Sequence, residues 1–390
     1  MRLKKHLGDL TKIIIGYTIS NVMKIKKENR DIWLISERRD EAEDNGYHLY
    51  KYIRKNHTEK KVYYIIDKNS KSYKKIEKYK TIIQHNSLQH YIYYFLADKH
   101  ISAFQFFGVP ETPFLWKLES RGIIKKKKVF LQHGIIKEML PFLTYEKTKY
   151  SMFVCGAKPE FKYIEENYGY PKGTVKYLGL CRFDNLHKYE VKNKILIMPT
   201  WRQWLGMSNT DNDVIKDKEN FINSEYFKTY NSLINNSKLE KILIENNIEL
   251  IFYPHPEMQR FIHLFNSKLT NIKIAKREEN NLQELLKESK VLITDYSSVA
   301  FDFAYMKKPL IYYQFDKNKY YTNHFKKGYF DCERDGFGPV IENEEVLISC
   351  IEGYILNNID RSEYIKRSGE FFPLYDQENS KRNYYEIVKI

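Results

Sequence analysis

Two histidines, one in each half of the chain, follow short apolar runs and are predicted to lie at strand ends. His133 lies in a Leu-Gln-His-Gly segment, where Gly134 allows a tight turn that leaves the imidazole open. His255 lies between Pro254 and Pro256, which stiffen its loop. An imidazole titrates near neutral pH, so His133 suits a general base for an attacking hydroxyl, and His255 can donate to a diphosphate or protonate a leaving phosphate. The alternatives are a core histidine bonded to a backbone carbonyl at the first position and an ordinary turn at the second.

A polar turn after the apolar run at 291–293 leads into a helical pattern. The turn contains Asp295, Ser297 and Ser298, and Asp302 follows about one turn into the helix. Free N–H groups at a helix N-terminus, together with two hydroxyls, form an anion site. We therefore expect this turn to stabilise a departing phosphate and Asp302 to accept from ribose hydroxyls. A serine cap without a ligand, and a charge on the helix surface, are the alternatives.

Three cations are further candidates for the site. Arg202 ends a Pro-Thr-Trp-Arg segment after the first apolar run of the second half, and its guanidinium can clamp phosphate oxygens bidentately. Arg182, near the junction between the halves, is a second candidate phosphate ligand. Lys137, four residues after His133, is a candidate on the acceptor or phosphate side. The alternatives are a surface ion pair with a nearby acid for Arg202, a solvated or interdomain ion pair for Arg182 and a solvated side chain for Lys137.

Motifs for several other chemistries are absent from the sequence. There is no P-loop, no G-x-G-x-x-G fingerprint and no G-x-S-x-G elbow, which argues against an ATPase, a dehydrogenase or a serine hydrolase of that type. The string Asp211-Asn212-Asp213 matches the D-x-D with which many GT-A enzymes hold a metal, but it lies in a polar stretch, 206–220, predicted to be a loop. No His/Cys cluster has zinc spacing, and we expect no metal, no cofactor and four free thiols.

Apolar runs that alternate with helical patterns must position these residues. Apolar strands that alternate with helices imply parallel sheets covered on both faces, with the polar groups at the carboxyl edge, where open α/β sheets bind ligands. We predict an α/β chain of the GT-B type, with two Rossmann-like domains facing each other across a cleft. The predicted strands lie at 31–36, 62–67, 81–84, 100–104, 129–132, 152–155, 175–179, 194–199, 248–253, 272–275, 291–294 and 310–313, and the predicted helices include 87–97, 224–246, 281–289 and 298–307.

The predicted organisation has four parts. Residues 1–29 form a basic amphipathic helix that can lie on an anionic membrane or pack on the first domain. Residues 30–185 form an N-terminal Rossmann-like acceptor domain, and 190–375 a C-terminal Rossmann-like nucleotide-donor domain. Residues 376–390 form a last helix that can cross back to the first domain.

Charge and hydropathy indicate the partners. Lys and Arg number 65 against 50 Asp and Glu, a net charge of +15, which favours an anionic partner such as a nucleotide, a polyphosphate or a membrane surface. An AT-rich genome would also produce this composition. The lysines are dispersed and the aromatics lie in apolar runs, so no nucleic acid is expected. Without a signal peptide or a spanning segment, we expect a cytoplasmic protein, peripheral on the inner face of the cell membrane.

Taken together, these motifs resemble the CDP-glycerol glycerophosphotransferase family, which includes teichoic acid primases and polymerases and related capsule enzymes. The resemblance covers about 30–375. Many members carry Thr-Pro after the His-Gly pair, whereas Ile135 and Ile136 follow it here. The matching segments are residues 131–134, 199–202, 253–256 and 294–298, followed by Phe301-Asp302 and the later Phe315-Asp316.

The resemblance implies a GT-B fold, a CDP-activated donor as substrate and no catalytic metal. A hydroxyl of a lipid-linked or glycan acceptor attacks the donor's β-phosphate and CMP leaves, so that glycerol or ribitol phosphate is added in teichoic acid or capsule synthesis. On that model His133 is the base, while His255, Arg202, Ser297 and Ser298 hold the diphosphate. The main alternative is a GT-B glycosyltransferase that uses a nucleotide sugar for cell-surface polysaccharide. A non-catalytic membrane-bound assembly protein is a further alternative.

Overall fold

The computed structural model of the 390-residue chain describes residues 2–106, 108–205, 214–323 and 326–390, with side chains described for all of these except 2–7 and 214–216. The chain forms two compact units. Unit 1 comprises Met1–Ile135, Pro141–Asn185 and Asp376–Ile390. Unit 2 comprises Ile136–Leu140 and Leu186–Tyr375.

Unit 1 is built on a 7-stranded sheet in the order β3-β2-β1-β4-β5-β6-β7, in which every pair is parallel. The inner strands are buried on both faces, which explains why they read as continuous apolar runs rather than as alternating ones. The strands are β1 Trp33–Ser36, β2 Val62–Ile66, β3 Ile82–Gln84, β4 Lys99–Ser102, β5 Lys127–Phe130, β6 Met152–Cys155 and β7 Val175–Tyr177.

Unit 2 is built on a second parallel sheet, 6-stranded, in the order β10-β9-β8-β11-β12-β13. Its core joins aliphatic residues of the central strands to aromatic residues of the covering helices, such as Tyr226 and Tyr230. The strands are β8 Lys194–Met198, β9 Glu249–Phe252, β10 Ile272–Ile274, β11 Val291–Thr294, β12 Leu310–Tyr313 and β13 Val340–Ile341.

Helices cover both sheets, with α1–α7 and α16 in unit 1 and α8–α15 in unit 2. In chain order they are α1 Arg2–Lys24, α2 Asn45–Asn56, α3 Tyr73–Ile76, α4 Leu88–Leu96, α5 Pro113–Ser120, α6 Tyr145–Thr148, α7 Lys158–Asn167, α8 Val214–Asn223, α9 Glu225–Leu233, α10 Ser237–Glu245, α11 Leu282–Glu288, α12 Val299–Tyr305, α13 Lys317–Asn323, α14 Glu344–Ile355, α15 Ser362–Phe371 and α16 Asn379–Lys389.

The last helix, α16, is anchored inside unit 1 by hydrogen bonds to one carboxylate. The main-chain N–H groups of Asn379 and Ser380 both donate to Asp184, each over 2.8 Å. Gly179, with φ at 79°, passes so close that a Cβ there would lie 1.7 Å from the Asn379 Oδ1 atom. A side chain at position 179 is therefore excluded both by sterics and by backbone conformation.

The predicted α/β class with parallel sheets is confirmed, and three local expectations need correction. The helix predicted over 1–29 ends at Lys24 and is followed by a 3-10 turn, Lys27–Asn29. The helix predicted over 224–246 is two helices, α9 and α10, because the Asn236 side chain accepts from the N–H groups of the following residues and caps a new helix. Residues 214–220 of the predicted 206–220 loop lie in α8, and the remainder, with the D-x-D string, lies outside the described residues.

Across the described ranges, no helix combines the length and the apolar content that a bilayer crossing needs.

Candidate active site

Each sheet has a point where the strand order reverses, between β1 and β4 in unit 1 and between β8 and β11 in unit 2. In open α/β sheets, ligands bind at the carboxyl ends of the strands beside such a point. The candidate residues follow that rule in each unit. His133 follows β5, the strand next to β4, whereas Arg202 follows β8 and Asp295 follows β11.

The turn that carries His133 is held in an unusual backbone conformation. Gln132 has a φ of 53°, in the left-handed region that a glutamine rarely adopts. Its side-chain amide donates to the Val154 carbonyl, and its own carbonyl accepts from the Asn45 amide over 2.7 Å. The sequence predicted that Gly134 would make the tight turn. The left-handed residue is instead Gln132, and these side-chain bonds offset its strain.

The His133 ring lies on Phe104, with centroids 4.4 Å apart and planes 12° from parallel. The side chain is exposed, which argues against the core-histidine alternative, although the ring also bonds to the main chain of Ala103. Crowding by protein atoms disfavours the imidazolium, and the positive charges of Arg38 and Arg182 add to this, so the pKa of His133 falls to about 4. The ring is therefore neutral at pH 7 and able to accept a proton.

Arg182 is buried and bound to this turn rather than presented to a ligand. Its guanidinium donates to the His133 carbonyl over 3.0 Å and pairs with Asp44 over 2.9 Å. Its main-chain N–H donates to the Asn45 side chain over 3.0 Å. The charge of Arg182 already has a carboxylate partner and its guanidinium holds the His133 turn, so phosphate binding by Arg182 stays a prediction.

Sequence reasoning missed a buried carboxyl group beside this network. Glu37 follows β1 directly and accepts the main-chain N–H groups of Glu43, Asp44 and Tyr47 at 2.6 to 3.1 Å. Burial, together with the negative charge of Asp44, raises the pKa of Glu37 to about 8. The sequence signal that could have identified this carboxyl group is the position of Glu37, directly after the first predicted strand.

In unit 2, Arg202 is wholly buried between two aspartates. Its Nη1 atom lies 2.8 Å from Asp295, and its Nε and Nη2 atoms donate to Asp316 over 2.7 and 3.0 Å. Nη1 also donates to the Thr200 carbonyl over 2.8 Å. This contact is bidentate, with Asp316 of the chain itself as the partner, and the expected phosphate clamp stays a prediction. Arg202 therefore joins the loops after β8, β11 and β12.

Asp295 is committed to the same junction and is not presented to a ligand. It accepts the main-chain N–H groups of Thr200 and Tyr296, over 2.8 and 2.6 Å, besides its ion pair with Arg202. The Tyr296 hydroxyl donates to Asp316 over 3.1 Å, and its ring stacks on Tyr320 at 3.6 Å. Asp316 and these tyrosines were not among the predicted site residues. Only the familial Phe-Asp pair at 315–316 pointed to Asp316.

His255 lies at the start of the 3-10 helix Pro256–Leu264 and is partly exposed. Its main-chain N–H donates to the Pro199 carbonyl over 3.2 Å, and its Nδ1 atom accepts from the Glu257 N–H over 3.2 Å. Because Nδ1 accepts, the proton of the neutral ring must be on Nε2. The loop therefore holds an imidazole whose Nε2–H is a donor, as the predicted phosphate contact requires.

The serine turn begins α12. Ser298 is the N-cap residue, is partly exposed, and makes no side-chain capping bond, while the Ser297 hydroxyl accepts weakly from the Val299 N–H at 3.4 Å. Asp302 is buried, with 2% of its surface exposed, so a direct contact with a ribose is not available to it in this structure. The serines keep hydrogen-bonding capacity at the carboxyl edge, and Asp302 does not.

Lys137 belongs to the segment Ile136–Leu140, which packs with unit 2, whereas His133 belongs to unit 1. The lysine is buried and lies 2.8 Å from Glu138. Burial opposes its charge, but the negative charge of Glu138 and those of further neighbouring groups together outweigh burial and hold the pKa of Lys137 well above its usual range. It is neither the solvated lysine nor the open acceptor-side cation that the sequence allowed.

The structure thus brings the predicted residues into two groups, one in each unit. In unit 1, His133 and Arg182 share a hydrogen bond. In unit 2, Arg202 and Asp295 form an ion pair, and the His255 loop is bonded to the end of β8.

Comparisons with known proteins identify the family and several relatives of this chain. The sequence matches a family model described as CDP-Glycerol:Poly(glycerophosphate) glycerophosphotransferase over residues 16–389. The minor teichoic acid biosynthesis protein GgaB of Bacillus subtilis (strain 168) is 36% identical over 392 residues, 99% of this chain and 43% of that protein. A teichoic acid poly(glycerol phosphate) polymerase of Bacillus spizizenii (strain ATCC 23059 / NRRL B-14472 / W23) is 29% identical over 212 residues, 53% of this chain and 49% of that protein.

The chain therefore spans less than half of the length of these two relatives. Among solved structures, the wall teichoic acid polymerase TagF is similar over 99% of this chain and 97% of the compared chain, with a TM-score of 0.68 and 16% identity. That likeness confirms the GT-B type of α/β fold. Because the family model extends over nearly the whole sequence, the chain belongs to the CDP-glycerol:poly(glycerophosphate) glycerophosphotransferase family.

Proposed function

We propose that this chain transfers glycerol phosphate or ribitol phosphate from a CDP-activated donor to a hydroxyl of a lipid-linked or glycan acceptor, in teichoic acid or capsule synthesis. The observation that carries the proposal is the family match over residues 16–389, which includes every candidate site residue. The names of the relatives, a minor teichoic acid biosynthesis protein and a poly(glycerol phosphate) polymerase, support the same chemistry.

In the proposed reaction His133 is the general base. Its neutral imidazole takes the proton of the acceptor hydroxyl while that oxygen attacks the β-phosphorus of the donor. The bond between the β-phosphorus and the bridging oxygen breaks, and the bridging oxygen leaves as part of CMP. The exposed ring and its pKa of about 4 support this role, because the imidazole is unprotonated at neutral pH.

The donor's phosphates are proposed to meet groups of unit 2. His255 offers its Nε2–H as a donor to a phosphate oxygen, and the hydroxyls of Ser297 and Ser298 offer two more. Such donors stabilise the charge that collects on the departing phosphate. We propose that the reaction needs no cofactor besides the CDP-activated substrate.

We also propose that the chain acts at the inner face of the cell membrane through α1. One side of this helix packs on α4, where the Tyr17 ring meets Phe95 edge-on at 5.5 Å. Several apolar side chains remain exposed beside exposed lysines at 24, 26 and 27, an arrangement that suits an anionic bilayer surface. The exposed apolar residues are Leu10, Ile14, Ile15, Val22 and Ile25.

A GT-B glycosyltransferase is the main competing function, since it would also need a base and a diphosphate site. The released nucleotide separates the two. We would incubate the protein and an acceptor, with EDTA present, with CDP-glycerol, CDP-ribitol or a panel of nucleotide sugars. Acceptor-dependent CMP release that persists in EDTA is expected, whereas turnover with a nucleotide sugar alone would reject the phosphotransferase.

The membrane proposal has a separate test. The double variant Ile14→Glu and Val22→Glu places two charges on the exposed side of α1. It is expected to lose co-sedimentation with phosphatidylglycerol vesicles while it keeps its helical content. Vesicle binding equal to that of the unmodified chain would reject α1 as the contact.

A further inference from the structure

A large basic cavity lies at the opposite edge of the unit 1 sheet from His133. It has a volume of about 750 Å³ and is lined by residues that precede the amino ends of β1, β4 and β5, such as Asp31, Asp98 and Lys126. His133 follows the carboxyl end of β5, so the strand's four residues, roughly 13 Å of extended chain, separate the two places. The basic cavity is therefore not part of the candidate active site.

The lining of the basic cavity is strongly positive. Seven cationic side chains and two carboxylates contribute to it. Four of the cations are the consecutive lysines 125–128 at the start of β5, Lys24 comes from the end of α1, Arg30 from the turn that follows, and Lys149 from the turn after α6. Cations gathered in a concave, low-dielectric surface focus their field and attract anions.

The two carboxylates neutralise only part of this charge. Asp31 already pairs with Lys60 and with Lys99, the latter over 3.0 Å, and Asp98 lies 3.4 Å from Lys99 and 3.6 Å from Lys127. Within the described part of the chain, no carboxylate forms an ion pair with the remaining exposed cations of the cavity, Lys24, Arg30, Lys125 and Lys149.

Lys126 is a partly buried member of this group of cations. Its ammonium donates to the main-chain carbonyls of Phe95, over 2.7 Å, and Ala97. Burial, followed by the positive charge of Lys24, lowers the pKa of Lys126 to about 8. A nearby negative charge favours the charged form of a lysine, so an anion bound beside Lys126 would raise its pKa again.

The chemistry of the lining indicates what kind of anion fits. The volume lies within the range of sites that hold multi-atom ligands, well above that needed for one small ion. Of the described residues that line the cavity, none is aromatic, so it offers no surface on which a base could stack. Lysines act as point charges without fixed geometry, which suits a flexible chain of phosphates.

We propose that the basic cavity binds the phosphodiester backbone of a polyol-phosphate chain, at a site separate from the one that carries His133. The choice of polyol phosphate as the repeat rests on the proposed function. The concave shape favours a flexible chain over a flat bilayer, because a chain can follow the depression and reach the cations within it. The basic cavity would keep a growing or acceptor polymer bound to the protein while the end of that polymer lies outside the cavity.

The test is a direct binding measurement with a fluorescently labelled, soluble glycerol-phosphate oligomer. The variant is Arg30→Glu with Lys125→Glu, both exposed and outside any ion pair of the described residues. The matched control is Lys238→Glu with Lys268→Glu, an equal change of charge at exposed positions of unit 2. We expect the cavity variant to bind the oligomer about tenfold more weakly, with a shallower salt dependence, and the control to bind nearly as the unmodified chain does.

Two results would overturn the proposal. One is equal weakening by the cavity variant and the control, since this would mean that only the net charge matters. The other is loss of binding to phosphatidylglycerol vesicles while oligomer binding is unchanged, since this would assign the basic cavity to a lipid surface. CMP release with a short acceptor should be unaffected by the cavity variant. A chain that binds the oligomer through the cavity but never releases CMP would leave the binding site standing and reject the proposed transfer reaction.

Discussion

The guanidinium of Arg182 donates a hydrogen bond of 3.0 Å to the main-chain carbonyl of His133. The same guanidinium pairs with Asp44, the residue that caps α2, so the turn is bonded to an element far away in sequence. Because the turn is held through its backbone, the imidazole does not have to supply that bond. One buried arginine, Arg182, therefore contributes to the low pKa of the His133 ring and holds the strained turn in position.

Replacement of His133 tests the proposed base. His133→Ala should lower the rate of CMP release by about 10²- to 10⁴-fold, the usual contribution of a general base. Folding should be little affected, since the side chain is exposed. The control is His263→Ala, which removes another exposed histidine and should keep full activity. Undiminished CMP release by His133→Ala would assign the base to another residue.

Replacement of Arg182 separates positioning from phosphate binding. Arg182→Met removes a positive charge that lowers the pKa of His133, so that pKa should rise above about 4, while burial and Arg38 still hold it below the ordinary value. NMR titration of the His133 ring measures this shift. If Arg182 only positions the turn, kcat should fall while KM for the donor is nearly constant, and Arg182→Lys should restore part of the rate. A large rise in KM with an unchanged pKa would support a phosphate contact instead.

The pH dependence of kcat/KM should follow the protonation of the His133 ring. The pKa of His133 is lowered, so the imidazole is the unprotonated base at any pH well above 4 and is lost as the pH falls through about 4. We expect the acid limb near that value rather than near 6.5. Arg38→Gln removes the larger of the two positive charges acting on the ring and should move the limb to higher pH. An acid limb that does not respond to Arg38→Gln would mean that another group titrates.

Arg202 should matter for stability more than for donor affinity. Arg202→Met leaves Asp295 and Asp316 buried without their partner, and breaking a buried ion pair in this way costs about 3–5 kcal/mol. Denaturant unfolding of the variant measures this loss. A well-folded Arg202→Met variant with only a raised KM would restore the phosphate-clamp hypothesis.

His255 offers a matched pair of variants. In His255→Asn the side-chain oxygen can still accept from the Glu257 N–H, whereas His255→Ala removes both that acceptor and the ring. Both variants should lose CMP release by about 10²- to 10³-fold if Nε2–H stabilises the departing phosphate. Only His255→Ala should also lose about 1 kcal/mol of stability. Activity retained by His255→Asn would limit the role of His255 to capping.

The local pattern of the sequence was sufficient for strands β1 to β12, the parallel sheets and the location of the candidate residues at strand ends, but β13 was not predicted. Apolar runs of four to six residues can be recognised without tertiary information because burial on both faces removes the polar alternation. The carboxyl-edge placement of His133, His255 and the serine turn follows from strand direction alone. The division of 224–246 at Asn236 was missed, since one capping side chain decided it.

The partners of the charged residues were decided only by the folded chain. Arg202 meets Asp316, which lies 114 residues away, and Arg182 meets Asp44, 138 residues away, so no local spacing records either pair. An arginine after a strand looks the same in sequence whether it binds a phosphate or a buried carboxylate. The difference lies in which side chains the fold brings within 3 Å and whether water still reaches them, and this also determines why the pKa of His133 falls while that of Glu37 rises.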